Sequence, residues 1–153
     1  MRGPYRKRMI LQPPPIKSFK PSGVPQRALE TVILQVDEYE AIRLADYLGL
    51  EHQAAAEQMH ISRPTFTRLI ERARHKVADA LVEGKALLIE GGNVDFINAL
   101  GQCHDCGETF PLERNQPLNR CPDCGSENIE DLSGRYIPPR SGRGRHGYGR
   151  KGR

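Results

Sequence analysis

The amino-acid sequence predicts a mainly α chain with a small β unit near its C-terminal end and disordered basic termini. Three observations predict it. Apolar residues recur at helical spacing between residues 37 and 83, four cysteines stand as two close pairs, and both ends combine Pro or Gly with Lys and Arg. The chain has 153 residues, 37% of them hydrophobic, and no Trp, which suits two small units with tails better than one large core. The expected division is a basic Pro-rich arm over residues 1–30, a helical domain over 31–92, a cysteine unit over 93–137 and a Gly/Arg tail over 138–153.

Each element has a local reason. Pro13 to Pro15, Pro21, Gly23 and Pro25 interrupt the first thirty residues, so little regular structure is expected there. "TVILQV" reads as a short strand. "DEYEAIRLADYLG" places Ala41, Ile42, Ala45 and Leu48 at helical spacing, opened by acids and closed by Gly49. "EHQAAAEQM" is a second, short helix, "HIS" a turn, and a long helix runs from Arg63 to about Glu83 before Gly84 stops it. In that helix Phe66, Leu69, Ile70, Ala73 and Val77 share one stripe, with Arg68, Arg72 and His75 opposite. Ser62 suits the N-cap, and Pro64 is tolerated in the first turn because its missing N–H would have no intrahelical partner. "KALLIEGGN" reads as a strand and a turn.

Charge sharpens the functional reading. The net charge is +4, from 23 Lys and Arg against 19 Asp and Glu. Residues 2–20 hold six basic residues and no acid, and residues 135–153 hold seven and no acid, so residues 21–134 carry 10 basic against 19 acidic. Five of those ten, Arg63, Arg68, Arg72, Arg74 and Lys76, lie on the long helix. Positive charge at a helix N-terminal half opposes the helix dipole, so it calls for a reason beyond helix stability, and a polyanionic partner supplies one. The plain alternative is a solvated face balanced by Glu71.

Two helices joined by a tight turn, the second exposed, form a helix-turn-helix unit. Ala56 is the small residue for the crossing, Ala55, Met59, Ile61, Phe66 and Leu69 are the apolar set, and His60 takes the left-handed turn position where Gly is usual. On double-stranded DNA, the helix starting at Arg63 would enter the major groove. Arg63, Thr65, Thr67 and Arg68 are the candidate contacts near base edges, Arg through bidentate bonds to guanine and Thr through hydrogen bonds or a thymine methyl. Arg72, Arg74 and Lys76 are the candidate phosphate contacts. A short reading helix covers few bases, so a homodimer on paired half-sites is expected.

The run from "VDEYEAIRLAD" through "SRPTF" to "ALVEGKALLIEGG", with the upstream "FKPSG", resembles a small prokaryotic family of uncharacterised, predicted DNA-binding proteins. Their helix-turn-helix is similar to region four of sigma factors. The resemblance covers about residues 1–92 and implies a helical DNA-binding domain and transcriptional regulation. Some members carry a domain similar to those that bind the iron-molybdenum cofactor of nitrogenase, whereas this chain ends in a cysteine unit.

"CHDC" and "CPDC" place Cys103, Cys106, Cys121 and Cys124 in two pairs, each followed by Gly, with fourteen residues between the pairs. Two residues between thiols form a knuckle that aims both sulfurs at one ion, and two knuckles complete a tetrahedral S4 shell with no open position. One structural Zn(II) in a small zinc ribbon is the expectation, and a rubredoxin-like iron site shares the ligand set. With few apolar side chains (Phe96, Ile97, Phe110, Leu112, Ile129 and Leu132), the unit needs its metal to fold. Disulfides would suit an exported chain, but the basic start lacks a signal-peptide pattern, so a cytoplasmic protein is expected. His104, inside the first knuckle, is expected to be exposed and not a ligand. "CPDCGSENIEDLSGRYI" is similar to the zinc module of hydrogenase nickel chaperones, but "MRGPY" lacks the histidine that such chaperones use.

"RGPYRKR" and "GRGRHGYGRKGR", with Tyr148 as a stacking ring, suit phosphate contacts on nucleic acid or mere solubility. His52, His75 and His146 show no partner spacing. The rivals to DNA readout are an adaptor docking on RNA polymerase or another protein, and an RNA binder using the ribbon and tail. No nucleophile-base pair, phosphate-binding glycine loop or open metal site points to an enzyme, and no segment suits a membrane.

Overall fold

The computed structural model describes residues 7–113 and 120–137. The Gly/Arg tail and the first residues of the basic arm lie outside the described residues.

In chain order the elements are β1 (Arg8–Ile10), β2 (Ser18–Phe19), a 3-10 turn (Gln26–Ala28), β3 (Thr31–Leu34) and α1 (Val36–Ile42). A π-type turn (Arg43–Tyr47), α2 (His52–Met59), α3 (Arg63–Glu83) and β4 (Ala86–Ile89) follow. The remainder comprises β5 (Val94–Phe96), β6 (Ala99–Cys103), β7 (Thr109–Leu112), β8 (Ile129–Asp131) and a 3-10 turn (Leu132–Arg135). The expectation of a mainly α chain is therefore corrected: the described residues hold three α-helices beside eight strands in three small sheets.

The strands that the sequence does not reveal are two or three residues long, too short for an alternating pattern. They form because distant partners supply the other edge. β1 pairs in parallel with β5, matching Arg8 to Val94 and Ile10 to Phe96. β4 lies between β2, antiparallel, and β3, parallel. The parallel β3–β4 pair requires a long connection, and the three helices provide it. Part of the expected arm is thus built into the fold: Ile10 is fully buried, and Pro13 and Pro14 are buried soon after it.

One core cluster joins the three helices to β1, β3, β4 and β5 and to the segment after β8. Ile10, Leu34, Val36, Ala41, Leu44, Met59, Phe66, Leu69, Ile70, Ile89, Phe96 and Tyr136 belong to it. The α3 stripe is buried at Phe66, Leu69, Ile70 and Ala73, with Val77 packed at its margin. The α1 stripe is shifted. Because the helix widens to π geometry over Arg43–Tyr47, Leu44 turns inward and is fully buried while Leu48 is half-exposed.

Helix limits follow their local signals. Thr65 N donates to Ser62 Oγ at 3.3 Å, Pro64 occupies the first turn, and Gly84 closes α3 at φ 68°. His60 ends α2 at φ 60°, and Ile61 N donates to Ala56 O at 3.0 Å to close the turn. No helix among the described residues is long and apolar enough to cross a membrane.

The four-cysteine unit is the antiparallel sheet β7-β6-β8. At Gly101 in its central strand a Cβ would stand 2.9 Å from Leu112 Cδ2 and 3.1 Å from Phe110 Cε2, so a side chain there would have to shift both. The chain after it returns to the helical core: Tyr136 is buried, meets Phe96 edge-on at 6.2 Å, and donates its hydroxyl to Pro14 O at 2.8 Å. Burial pushes the Tyr136 phenol up to about 12, keeping that proton in place.

Candidate functional site

The cationic side chains of α3 fall into two groups. Arg63 and Arg68, in its first half, are exposed and form no hydrogen bond or ion pair among the described residues. The other three are held by carboxylates. Arg74 grips Asp46 with Nε at 3.1 Å and a terminal nitrogen at 2.7 Å. Lys76 Nζ stands 2.7 Å from Glu38 Oε1, and Arg72 Nε stands 3.5 Å from Glu38 Oε2.

The threonines differ as well. Thr65 Oγ1 accepts from Ser62 Oγ at 2.9 Å inside the N-cap, while Thr67 Oγ1 faces His52 Nδ1 at 2.9 Å. His52 also packs edge-on against Phe66, ring centroids 5.3 Å apart. Thr67 and His52 thereby tie α3 to α2, a role that neither residue's spacing announces.

Three acids of α1, Asp37, Glu38 and Glu40, are buried. Each secures a different segment. Asp37 Oδ2 binds Arg8 at 2.7 Å, Glu40 accepts Leu11 N at 3.1 Å and both Nε and a terminal nitrogen of Arg43 at 2.8 Å, and Glu38 accepts Gln35 N at 2.9 Å while facing α3. By sequence these acids mark only the start of a helix. The spacing of Gln35 and Glu38, which suits a capping box, is the signal that could have singled out Glu38; nothing local announces that the acids are buried. Arg8, placed by its sequence among the arm's phosphate contacts, is instead spent on Asp37.

Cys103, Cys106, Cys121 and Cys124 converge, all four sulfurs lying within 4.8 Å of one another. Cys103 and Cys124 are 3.6 Å apart and Cys106 and Cys121 3.7 Å. A tetrahedron with metal–sulfur bonds of about 2.3 Å has edges of about 3.8 Å, so the donor set fits one thiophilic cation. The knuckles are formed by Gly107 N to Cys103 O and Gly125 N to Cys121 O, both at 2.9 Å, with both glycines at positive φ. Backbone N–H groups turn inward: Asp105 N reaches Cys103 Sγ at 3.4 Å and Asp123 N reaches Cys121 Sγ at 3.3 Å.

Electrostatics asks for the cation. The Cys103 thiol is lowered to about 7, chiefly by the Cys106 backbone N–H, against desolvation and with help from Asp105. Cys106 is pushed up to about 12, because desolvation and the Cys121, Cys124 and Cys103 sulfurs outweigh the lowering by the Glu108 backbone N–H. Four sulfurs at this spacing ionise together only around a positive ion. Asp105 links the knuckles by accepting from Ser126 Oγ and Asn128 Nδ2. His104 is exposed and lies outside the sulfur cluster, with Nε2 2.9 Å from Glu130. Glu130 in turn binds Arg135 through both oxygens at 2.8 and 2.9 Å.

A family model described as "Protein of unknown function DUF134" matches residues 1–97. A "UPF0251 protein" of Chloroherpeton thalassium is 54% identical over 147 residues, 96% of this chain and 97% of the relative. One of Moorella thermoacetica is 47% identical, covering 91% of this chain and 89% of the relative, and one of Methanothermobacter thermautotrophicus is 42% identical, covering 96% and 75%. At 96% coverage the alignment with the Chloroherpeton thalassium relative takes in the segment with the four cysteines, whereas the family model ends before it. No solved structure matches the chain.

Proposed function

The chain belongs to the family described as protein of unknown function DUF134, and from the chemistry of α3 we propose a sequence-specific DNA-binding protein that regulates transcription in the cytoplasm. One observation carries the reading. Arg63 and Arg68 stand exposed and without a partner among the described residues, on the half of a helix where the dipole disfavours positive charge. Among the described residues no carboxylate faces either of them, and a polyanion would supply that partner.

The turn at His60 and the cap at Ser62 fix how α3 leaves α2, so the two helices act as a helix-turn-helix unit. The first half of α3 enters the major groove. There Arg68 and Arg63 present paired N–H donors to guanine edges, and the Thr65 hydroxyl is within reach of the same strand. A homodimer on paired half-sites extends the site read. The four cysteines hold one structural Zn(II), which fixes the C-terminal sheet and takes no part in base readout. Catalysis is not part of this reading.

Selection from a random duplex pool with metal-loaded protein, at low and at moderate salt, tests it. A motif that persists at moderate salt is the expected result. Unrelated sequences that all vanish with salt would sink the reading in favour of a protein adaptor or an RNA binder.

A further inference from the structure

We infer that Arg72 is a phosphate ligand held ready by the buried carboxylate of Glu38, which acts as its positioning residue. The inference rests on the DNA-binding reading and specifies how the exposed face of α3, beyond the residues that read bases, meets the DNA backbone.

Among the described residues, three arginine–carboxylate pairs are closed at both prongs. In Arg43–Glu40, Arg74–Asp46 and Arg135–Glu130, the guanidinium spends both Nε and a terminal nitrogen on the acid. Arg72 differs: it offers Glu38 only Nε, at 3.5 Å, and its terminal nitrogens bind nothing among the described residues. Anchoring at Nε leaves the two-pronged end of the guanidinium free, which is the geometry for bidentate phosphate recognition.

The acid is placed for that task. The Glu38 side chain is 1% exposed against 56% for Arg72, so the carboxylate sits under the cation rather than competing for the same solvent-facing surface. Gln35 N and Lys76 Nζ fix its other oxygen at 2.9 and 2.7 Å. Arg68, Arg72, His75 and Lys76, with Glu71 as the one acid, line a shallow depression of about 520 Å³. The lining is cationic on balance, and it includes Arg68, a proposed base contact, so a backbone phosphodiester flanking the bases read is its ligand. Arg74, consumed by Asp46, is left out.

The test measures binding of metal-loaded protein to a mixed-sequence duplex across a salt series, by fluorescence anisotropy, with circular dichroism reporting the fold. Removing one phosphate interaction lowers the salt slope by about 0.9. Arg72→Ala should lower it by about that amount, and Arg74→Ala should leave it unchanged. Glu38→Gln should lower it like Arg72→Ala, although the substitution makes the protein more positive. A purely structural acid would not move the slope, and simple charge counting predicts tighter binding. Tighter or unchanged binding by folded Glu38→Gln, or equal losses from Arg72→Ala and Arg74→Ala, would overturn the proposal while leaving DNA binding standing. Should Glu38→Gln not fold, the two arginine variants decide. Wild-type protein that ignores duplex DNA, or binds only RNA, would overturn both.

Discussion

Asp37 carries the clearest energetic consequence of a single residue. Its carboxylate is buried, one oxygen binds Arg8, and Oδ1 has no hydrogen-bond partner among the described residues. A buried charge stripped of its counterion costs about 3–5 kcal/mol, so Arg8→Ala should destabilise the protein by about 3 kcal/mol in urea unfolding. Adding Asp37→Asn should recover much of that loss. If Arg8→Ala unfolds like wild type, the pair contributes nothing and Arg8 returns to the pool of free cations. Asp46 and Glu130 make a related prediction. Arg74 holds the Asp46 carboxyl below its ordinary value, and Arg135 does the same for Glu130. A depressed carboxylate contributes stability that is present above its ordinary pKa and lost as pH falls through the lowered one. Both pairs are partly exposed, so the effect is small, but its sign is fixed: acidification below the usual carboxylate range should destabilise, and Arg74→Ala should flatten that dependence in pH-stepped thermal melts.

At the scale of the element, the turn between α2 and α3 sets where the exposed arginines point. His60 holds a left-handed conformation at φ 60°, which costs an L-residue about 1–2 kcal/mol. His60→Gly should therefore match or exceed wild-type stability, whereas His60→Val should lose more than about 1 kcal/mol. Ser62→Ala removes the cap on Thr65 N and should cost about 1 kcal/mol. Equal urea midpoints for all three variants would mean that the turn is not fixed by these residues. These local devices are legible in the sequence because each needs only neighbours: a hydroxyl before a helix, Pro in its first turn and Gly after its end. The widening of α1 over Arg43–Tyr47 is not legible, since a π-type turn has no period of its own and is selected by how Leu44 packs.

Across the whole molecule, the cysteine unit and the helical core share structure. From the sulfur cluster the chain runs through β8 and the Glu130–Arg135 pair to Tyr136, whose ring enters the core and whose hydroxyl holds Pro14 O. Lys17 Nζ reaches back to Arg135 O at 3.3 Å. Metal binding should therefore stabilise more than its own sheet. Chelation should lower the melting temperature of the full chain and raise hydrogen exchange in β1 and β5 as well as in β6 to β8. Exchange that rises only between residues 97 and 135 would show two independent units. Tyr136→Phe should weaken the same linkage by about 1 kcal/mol, the worth of one buried hydrogen bond.

By itself the sequence determined whatever depends on neighbours along the chain: the limits of α3, the turn before it, the cap, and the pairing of four cysteines around one centre. Those features need a period, a dihedral or a two-residue spacing, and each is written in a few adjacent letters. Only the tertiary structure decided that β1 pairs with β5, that the acids of α1 are buried, and which arginines remain free. A buried Glu38 and an exposed Glu71 have the same side chain; what separates them is whether a cation more than thirty residues away in the chain, or water, faces the carboxylate. The balance of helix and strand was decided in the same way, because a strand of three residues exists only where a distant edge completes its hydrogen bonds.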